Sequence, residues 1–102
     1  MIVRISKGSF PSVRLDDVRR RIAESEHALC AAITAMPGLL HYYAGIDEQA
    51  LQVTNVSVWD TLEHAQAMSS LQPMLAQRPL LEAVDVDFEM ITNHETVWVI
   101  TP

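Results

Sequence analysis

The chain has 102 residues and predicts an α+β fold, an antiparallel sheet with helices on one face. Three observations predict it. Segments rich in β-branched and aromatic residues, or alternating in character, occur at Ile2–Gly8, Leu39–Ile46, Leu51–Trp59 and Val84–Met90. Segments with helical periodicity lie before Leu39 and after Trp59. Only four residues, Asp47 to Ala50, separate the second and third strand segments, which makes those two a hairpin. The order is β-α-β-β-α-β, the split βαβ or ferredoxin-like arrangement.

Each element has its own warrant. Ile2–Gly8 is a first strand, broken at Phe10-Pro11-Ser12. A helix starts between Ser12 and Asp16, either of which suits a cap, and Asp16 and Asp17 suit the positive end of its dipole. Leu15, Val18, Ile22, Leu29, Ile33 and Met36 form its apolar stripe, and Pro37-Gly38 ends it. Asp60 is placed to cap the second helix, with Glu63 three residues later, as in a capping box. That helix runs to Ser70 or Leu71, and Pro73 and Pro79 bracket a short helical piece from Met74 to Arg78. In the fourth strand Val84, Val86, Phe88 and Met90 alternate with Asp85, Asp87 and Glu89. A last strand-like piece spans Thr96–Ile100.

Composition narrows the function classes. The length suits one domain, residues 1–102. The formal net charge is −6, and basic residues cluster only at Arg19, Arg20 and Arg21, beside Glu24 and Glu26. A nucleic-acid binder needs a basic face, so none is expected. No apolar run is long enough to cross a membrane, and the first residues show no signal-peptide core. Cys30 is the one cysteine, which leaves no internal disulfide and points to a cytoplasmic setting. Flanking the helix stripe, Cys30 is expected to be a small buried hydrophobe.

The second face of the sheet has no helix to cover it. An antiparallel sheet wet on one side alternates cleanly between apolar and polar. Leu39–Ile46 is strongly polar only at His41, and Thr96–Ile100 is apolar on both sides. Soluble monomers avoid exposing so large an apolar patch. A two-fold homodimer, sheet packed on sheet, is therefore expected.

With these elements in place, the sequence resembles the antibiotic biosynthesis monooxygenase family over nearly its whole length. The runs "MPGLLHYYAGID" and "VSVWDTLEHAQAM" carry the resemblance. It implies a dimeric α+β barrel that works with no metal and no other cofactor. Some members oxidise anthrones or quinols with molecular oxygen; others degrade haem. The resemblance implies that Asn55 and Trp59 contact a bound polyketide and that Arg78 falls near a functional arginine. The tyrosine expected on the second helix is replaced by Ala65. The haem-degrading set falls at Arg4 or Ser6, Met68 and Arg78 and does not match, so haem degradation is not expected.

The residues themselves define a chemistry. Triplet oxygen reacts slowly with closed-shell molecules, so a cofactor-free oxygenase must bind an aromatic enol or phenol and stabilise its anion. The Asn55 amide suits an oxyanion, Trp59 a stacking wall, and His41 a base near neutral pH. Asn55, Ser57 and Trp59 share one strand face, which raises the question of whether that face is wet surface or pocket wall. Tyr43 shares a face with His41 on the neighbouring strand and is expected to point into the same cavity. His64, a turn beyond Trp59, is placed at the mouth, and Arg78 balances substrate charge.

The expected activity is thus cofactor-independent monooxygenation of a small aromatic compound: an anthrone, a naphthol or a quinol-like molecule. Two alternatives are a non-catalytic small-molecule-binding barrel and an oxygen-independent isomerase or decarboxylase using His41 or His64. Asp85, Asp87 and Glu89 read as a solvated edge, with a hard-cation site beside His41 as the sharper alternative.

Overall fold

A computed structural model describes residues 1–102. Strand β1 (Ile2–Ser9) leads through a 3-10 turn into helix α1 (Leu15–Thr34). Strands β2 (Leu39–Asp47) and β3 (Gln52–Trp59) form the hairpin. Helix α2 (Leu62–Ala67) and a second 3-10 turn lead into α3 (Gln72–Glu82). Two short strands follow, β4 (Asp87–Phe88) and β5 (Thr92–Glu95). All pairings are antiparallel, in the order β2-β3-β1-β4, and β5 shares β1 with β4. The ferredoxin-like α+β architecture is the one the sequence predicts.

Several details differ from expectation. The fourth strand is broken. Asp85 sits at φ 68, so the ladder starts only at Asp87, and β5 resumes it along the same edge of β1. The expected strand at Thr96–Ile100 is absent. Both the amide and the hydroxyl of Thr96 donate to the Met1 carbonyl, where β1 begins. Val97 to Ile100 form no strand.

Helix α3 runs through Pro79 instead of stopping at Arg78. Pro73 falls in its first turn, where a missing N–H costs nothing. Exposed Pro79 is tolerated because continuing the helix carries Leu81 into the core. The cap of α2 is Thr61, not Asp60; its hydroxyl accepts from the His64 amide at 3.2 Å. Helix α1 has no side-chain cap at Ser12 or Asp16, because the 3-10 turn Ser12–Arg14 precedes it and Arg14 occupies the junction.

The core is divided. One cluster joins Phe10, Val18, Val53, Leu81 and Val86; the other joins Leu29, Ile33, Trp59, Ala65 and Met68. Both lie between the helices and one face of the sheet. The space between them is where the candidate site forms.

Candidate functional site

The register arranges the helix-facing side chains in rows across β1, β3 and β2. Gly8, Val53 and Ile46 form one row; Ser6, Asn55 and Ala44 the next; Arg4, Ser57 and Tyr42 the third; Ile2, Trp59 and Leu39 the last. The end rows fill the two core clusters. The middle rows are small or polar and fill little space. A β-bulge between Leu39 and His41 fixes this pattern. It lets Leu39 and Tyr42, three residues apart, face the same side.

Two cavities result. The larger, of about 440 Å³, is walled by Ile22, Leu29, Ile33, Met74, Leu81 and Tyr42 among others. The smaller, of about 260 Å³, has a wall that includes the polar residues Arg4, Ser6, Ser69, Arg78 and Glu89. Asn55, Met74, Gln77 and Leu81 line both, so Asn55 lies where the two meet. Their sizes suit small organic ligands.

The electrostatics are set by burial. Arg4 is 7 % exposed and donates to Ser69 Oγ at 3.3 Å. Burial lowers its pKa from the ordinary guanidinium value, and Tyr42 opposes that shift. The Tyr42 phenol is pushed up to about 12 by burial, against a weaker opposing pull from Arg4. Tyr42 is therefore a neutral hydrogen-bond donor at physiological pH and not a base.

The structure brings together only part of the expected set. Asn55 lines both cavities and Arg78 lines the smaller one. Arg78 also pairs with Glu82 at 3.5 Å and lies 5.3 Å from the Phe88 ring centroid. Trp59 is fully buried in the second core cluster and is not among the residues that line either cavity. Ser57 is likewise buried and accepts the Trp59 indole N–H at 2.8 Å.

His41 and Tyr43 pair with Val58 and Val56, which puts them on the opposite face of the sheet. There their rings stack at 6.0 Å between centroids. They do not share the cavity with Asn55. The bulge at Leu40 does not change this; it moves Leu39 to the helix side. His64 does not reach the cavities. Its Nδ1 is 2.7 Å from Asp60 Oδ1, a contact that holds the Asp60 carboxyl below its usual range.

The remaining residues also find places. Asp85 pairs with Arg14 at 2.9 Å, whereas Glu89 lines the smaller cavity, so the three strand carboxylates do not act together. Arg19, Arg20 and Arg21 pair with Glu48, Asp17 and Glu24 on a solvated helix face. Cys30 is exposed and borders the larger cavity, contrary to the expected burial. No helix is long and apolar enough to cross a membrane.

Sequence reasoning passed over Arg4 and Tyr42. A signal was present. Once Asn55 and Ser57 face inward, antiparallel pairing forces the same parity on β1 and β2. Strand β1 then turns Arg4 and Ser6 inward and Val3 and Ile5 outward.

Comparison with known proteins supports the fold. No family model and no curated protein matches the chain. Solved structures do. A Deinococcus radiodurans protein assigned to the antibiotic biosynthesis monooxygenases is 19% identical, with a TM-score of 0.76 over 100% of this chain and 98% of that one. A variant of SnoaB, a cofactor-independent oxygenase from Streptomyces nogalater, is 9% identical, with a TM-score of 0.71 over 99% and 97%. A variant of MhuD with two manganese protoporphyrin IX molecules bound per active site is 21% identical, with a TM-score of 0.71 over 100% of both chains. The chain has the fold of the antibiotic biosynthesis monooxygenases.

Proposed function

We propose that the chain is a cofactor-independent monooxygenase acting on a small aromatic enol or phenol, such as an anthrone, naphthol or quinol, bound between the sheet and helices α1 and α3. One observation carries this reading: Asn55 lines both cavities and has an uncharged carboxamide available to a ligand. The similarity of fold to SnoaB, a cofactor-independent oxygenase, agrees with it.

The chemistry needs little from the protein. The substrate loses a proton, and the anion gives one electron to oxygen. The two radicals join as a peroxide anion, which takes a proton back from water and then loses water, with the hydrogen of the oxidised carbon, to leave a new carbonyl. One oxygen atom ends in the product and the other in water. Asn55 donates its amide hydrogens to the substrate oxygen as negative charge develops there. The apolar walls of the larger cavity exclude water and strengthen that bond. With His41 on the far face, the proton leaves to water, so the substrate is one that ionises readily.

The far face belongs to the same reading. Val3, Ile5, Val56 and Val58 occupy its centre, and no helix covers them. Val97, Trp98, Val99 and Ile100 are exposed beside Thr96. We take a second copy of the chain as the cover, in a homodimer of cytoplasmic setting that binds neither nucleic acid nor membrane.

Oxygen uptake by metal-stripped protein with a panel of anthrones, naphthols and hydroquinones tests the activity. Protein-dependent uptake that falls in Asn55→Ala supports it. Absence of uptake across the panel, with binding retained, leaves a small-molecule-binding barrel in its place.

A further inference from the structure

The smaller cavity contains a charge that the chain does not neutralise. Arg4 is more than nine-tenths buried, yet its one side-chain partner is the neutral hydroxyl of Ser69. None of the ion pairs of the chain includes it. Glu89 lines the same cavity but lies beyond ion-pair distance of Arg4. Guanidinium stays charged at neutral pH even when burial weakens it. A buried charge without a counter-ion is expensive to keep.

Its neighbours share its character. Ser6, Asn55, Gln77 and Arg78 face the same cavity and each brings a donor. Arg78 is exposed and already holds Glu82, so it suits the mouth, whereas Arg4 suits the floor. The larger cavity beyond Asn55 is predominantly apolar. The two spaces together therefore match a molecule with an apolar ring system at one end and a negative oxygen at the other.

We infer that Arg4 is an anion subsite, and that the cleft takes an aromatic compound whose anionic oxygen lies on Arg4 while its rings occupy the larger cavity. This rests on the reading of the cavities as a ligand site and names the ligand class. The negative oxygen is that of a carboxylate or of an ionised hydroxyl. A guanidinium bonds either, and bonds a carboxylate through two parallel contacts.

Calorimetric titration of the full chain tests the assignment with two matched pairs. Naphthalene carboxylate is compared with its methyl ester, and dinitronaphtholate with its methyl ether. The wild type is expected to bind the anion of at least one pair about tenfold or more tighter than its neutral partner, as a charge-assisted bond implies. Preference in the first pair alone assigns a carboxylate, and preference in the second alone an ionised hydroxyl. Arg4→Met is expected to erase the preference while keeping the affinity for the neutral partner within about threefold, since ring contacts are unchanged. Its thermal midpoint without ligand is expected to equal or exceed that of the wild type. If Arg4→Met does not fold, Arg4→Gln keeps a donor without the charge and gives the same comparison. Equal binding of anion and neutral partner in the wild type overturns the inference alone, as does preference surviving in the Arg4 variant. Absence of binding by all four compounds overturns it together with the reading of the cavities.

Discussion

The Trp59 indole N–H donates to the Ser57 hydroxyl at 2.8 Å, two residues back on the same strand face. That bond satisfies the only polar atom of the largest fully buried side chain. The indole packs with Leu29, Ile33, Ala65 and Met68. Trp59→Ala is expected to lower stability by about 3–5 kcal/mol, the usual cost of emptying an aromatic core site. Ser57→Ala is expected to cost about 1–3 kcal/mol by leaving the indole N–H unpaired. Denaturant unfolding measures both. A Trp59→Ala variant that folds normally and loses only ligand affinity would return the indole to the pocket.

Asn55 carries the opposite expectation. It is partly exposed, in the gap between the two core clusters, so Asn55→Ala should change stability by no more than about 1 kcal/mol. If its amide holds an oxyanion, turnover should fall by about tenfold or more. Oxygen-electrode rates and unfolding curves on the same preparation separate the outcomes. Unchanged turnover with reduced stability makes Asn55 structural.

The contrast between Asn55 and Trp59 shows what was legible in the sequence. The order of elements was, because hydrophobic period and turn residues are local. The shared face of Asn55, Ser57 and Trp59 was also legible, because strand alternation is local. Whether that face met helices or solvent was not. Here apolar Val56 and Val58 point away from the helices and Arg4 and Ser6 point towards them, the reverse of the usual amphipathic logic. His41 was misplaced for the same reason: its face depends on register with Val58, which two strands set jointly. The break in the fourth strand comes from the left-handed backbone at Asp85, which the alternation of side chains from Val84 to Met90 does not reveal.

Tyr42 offers a pH test. Burial pushes its phenol up to about 12 in the folded state, against about 10 when unfolded. Between those values the folded chain holds the proton that the unfolded chain loses. By linkage, stability is unaffected below pH 10 and falls as pH rises from about 10 to about 12, by at most about 3 kcal/mol. Tyr42→Phe should remove this alkaline loss and the late phenolate absorbance step. A wild-type titration in which the Tyr42 step comes near its ordinary value would show that the phenol is wet.

Gly38 reports on the turn before β2. Its φ is 79, a left-handed conformation that disfavours side chains. A Cβ there would clash with His64 Nδ1 and with the Asp60 carboxylate. Gly38→Ala should therefore cost about 1–3 kcal/mol and disturb the Asp60–His64 contact. His64→Ala alone should let the Asp60 carboxyl rise towards its usual range, visible by NMR titration, since the His64 hydrogen bond is the main cause of its lowering. In the double variant, relief of the clash should make the cost of Gly38→Ala smaller than in the single one.

Trp98 tests the cover on the second sheet face. It is 76 % exposed, in an apolar run of Val97 to Ile100 that has no strand partner. An isolated chain gains nothing from displaying these side chains. A homodimer gains by burying them with Val3, Ile5, Val56 and Val58. Trp98→Asp should shift the chain from dimer to monomer in analytical ultracentrifugation, by at least about tenfold in dissociation constant, because a carboxylate at a buried interface goes unpaired. Val56→Asp should do the same from the centre of the face. If Trp98→Asp leaves the dimer intact while Val56→Asp breaks it, the sheet face is the interface and the tail lies outside it. If neither variant changes the association state, the second copy does not cover this face.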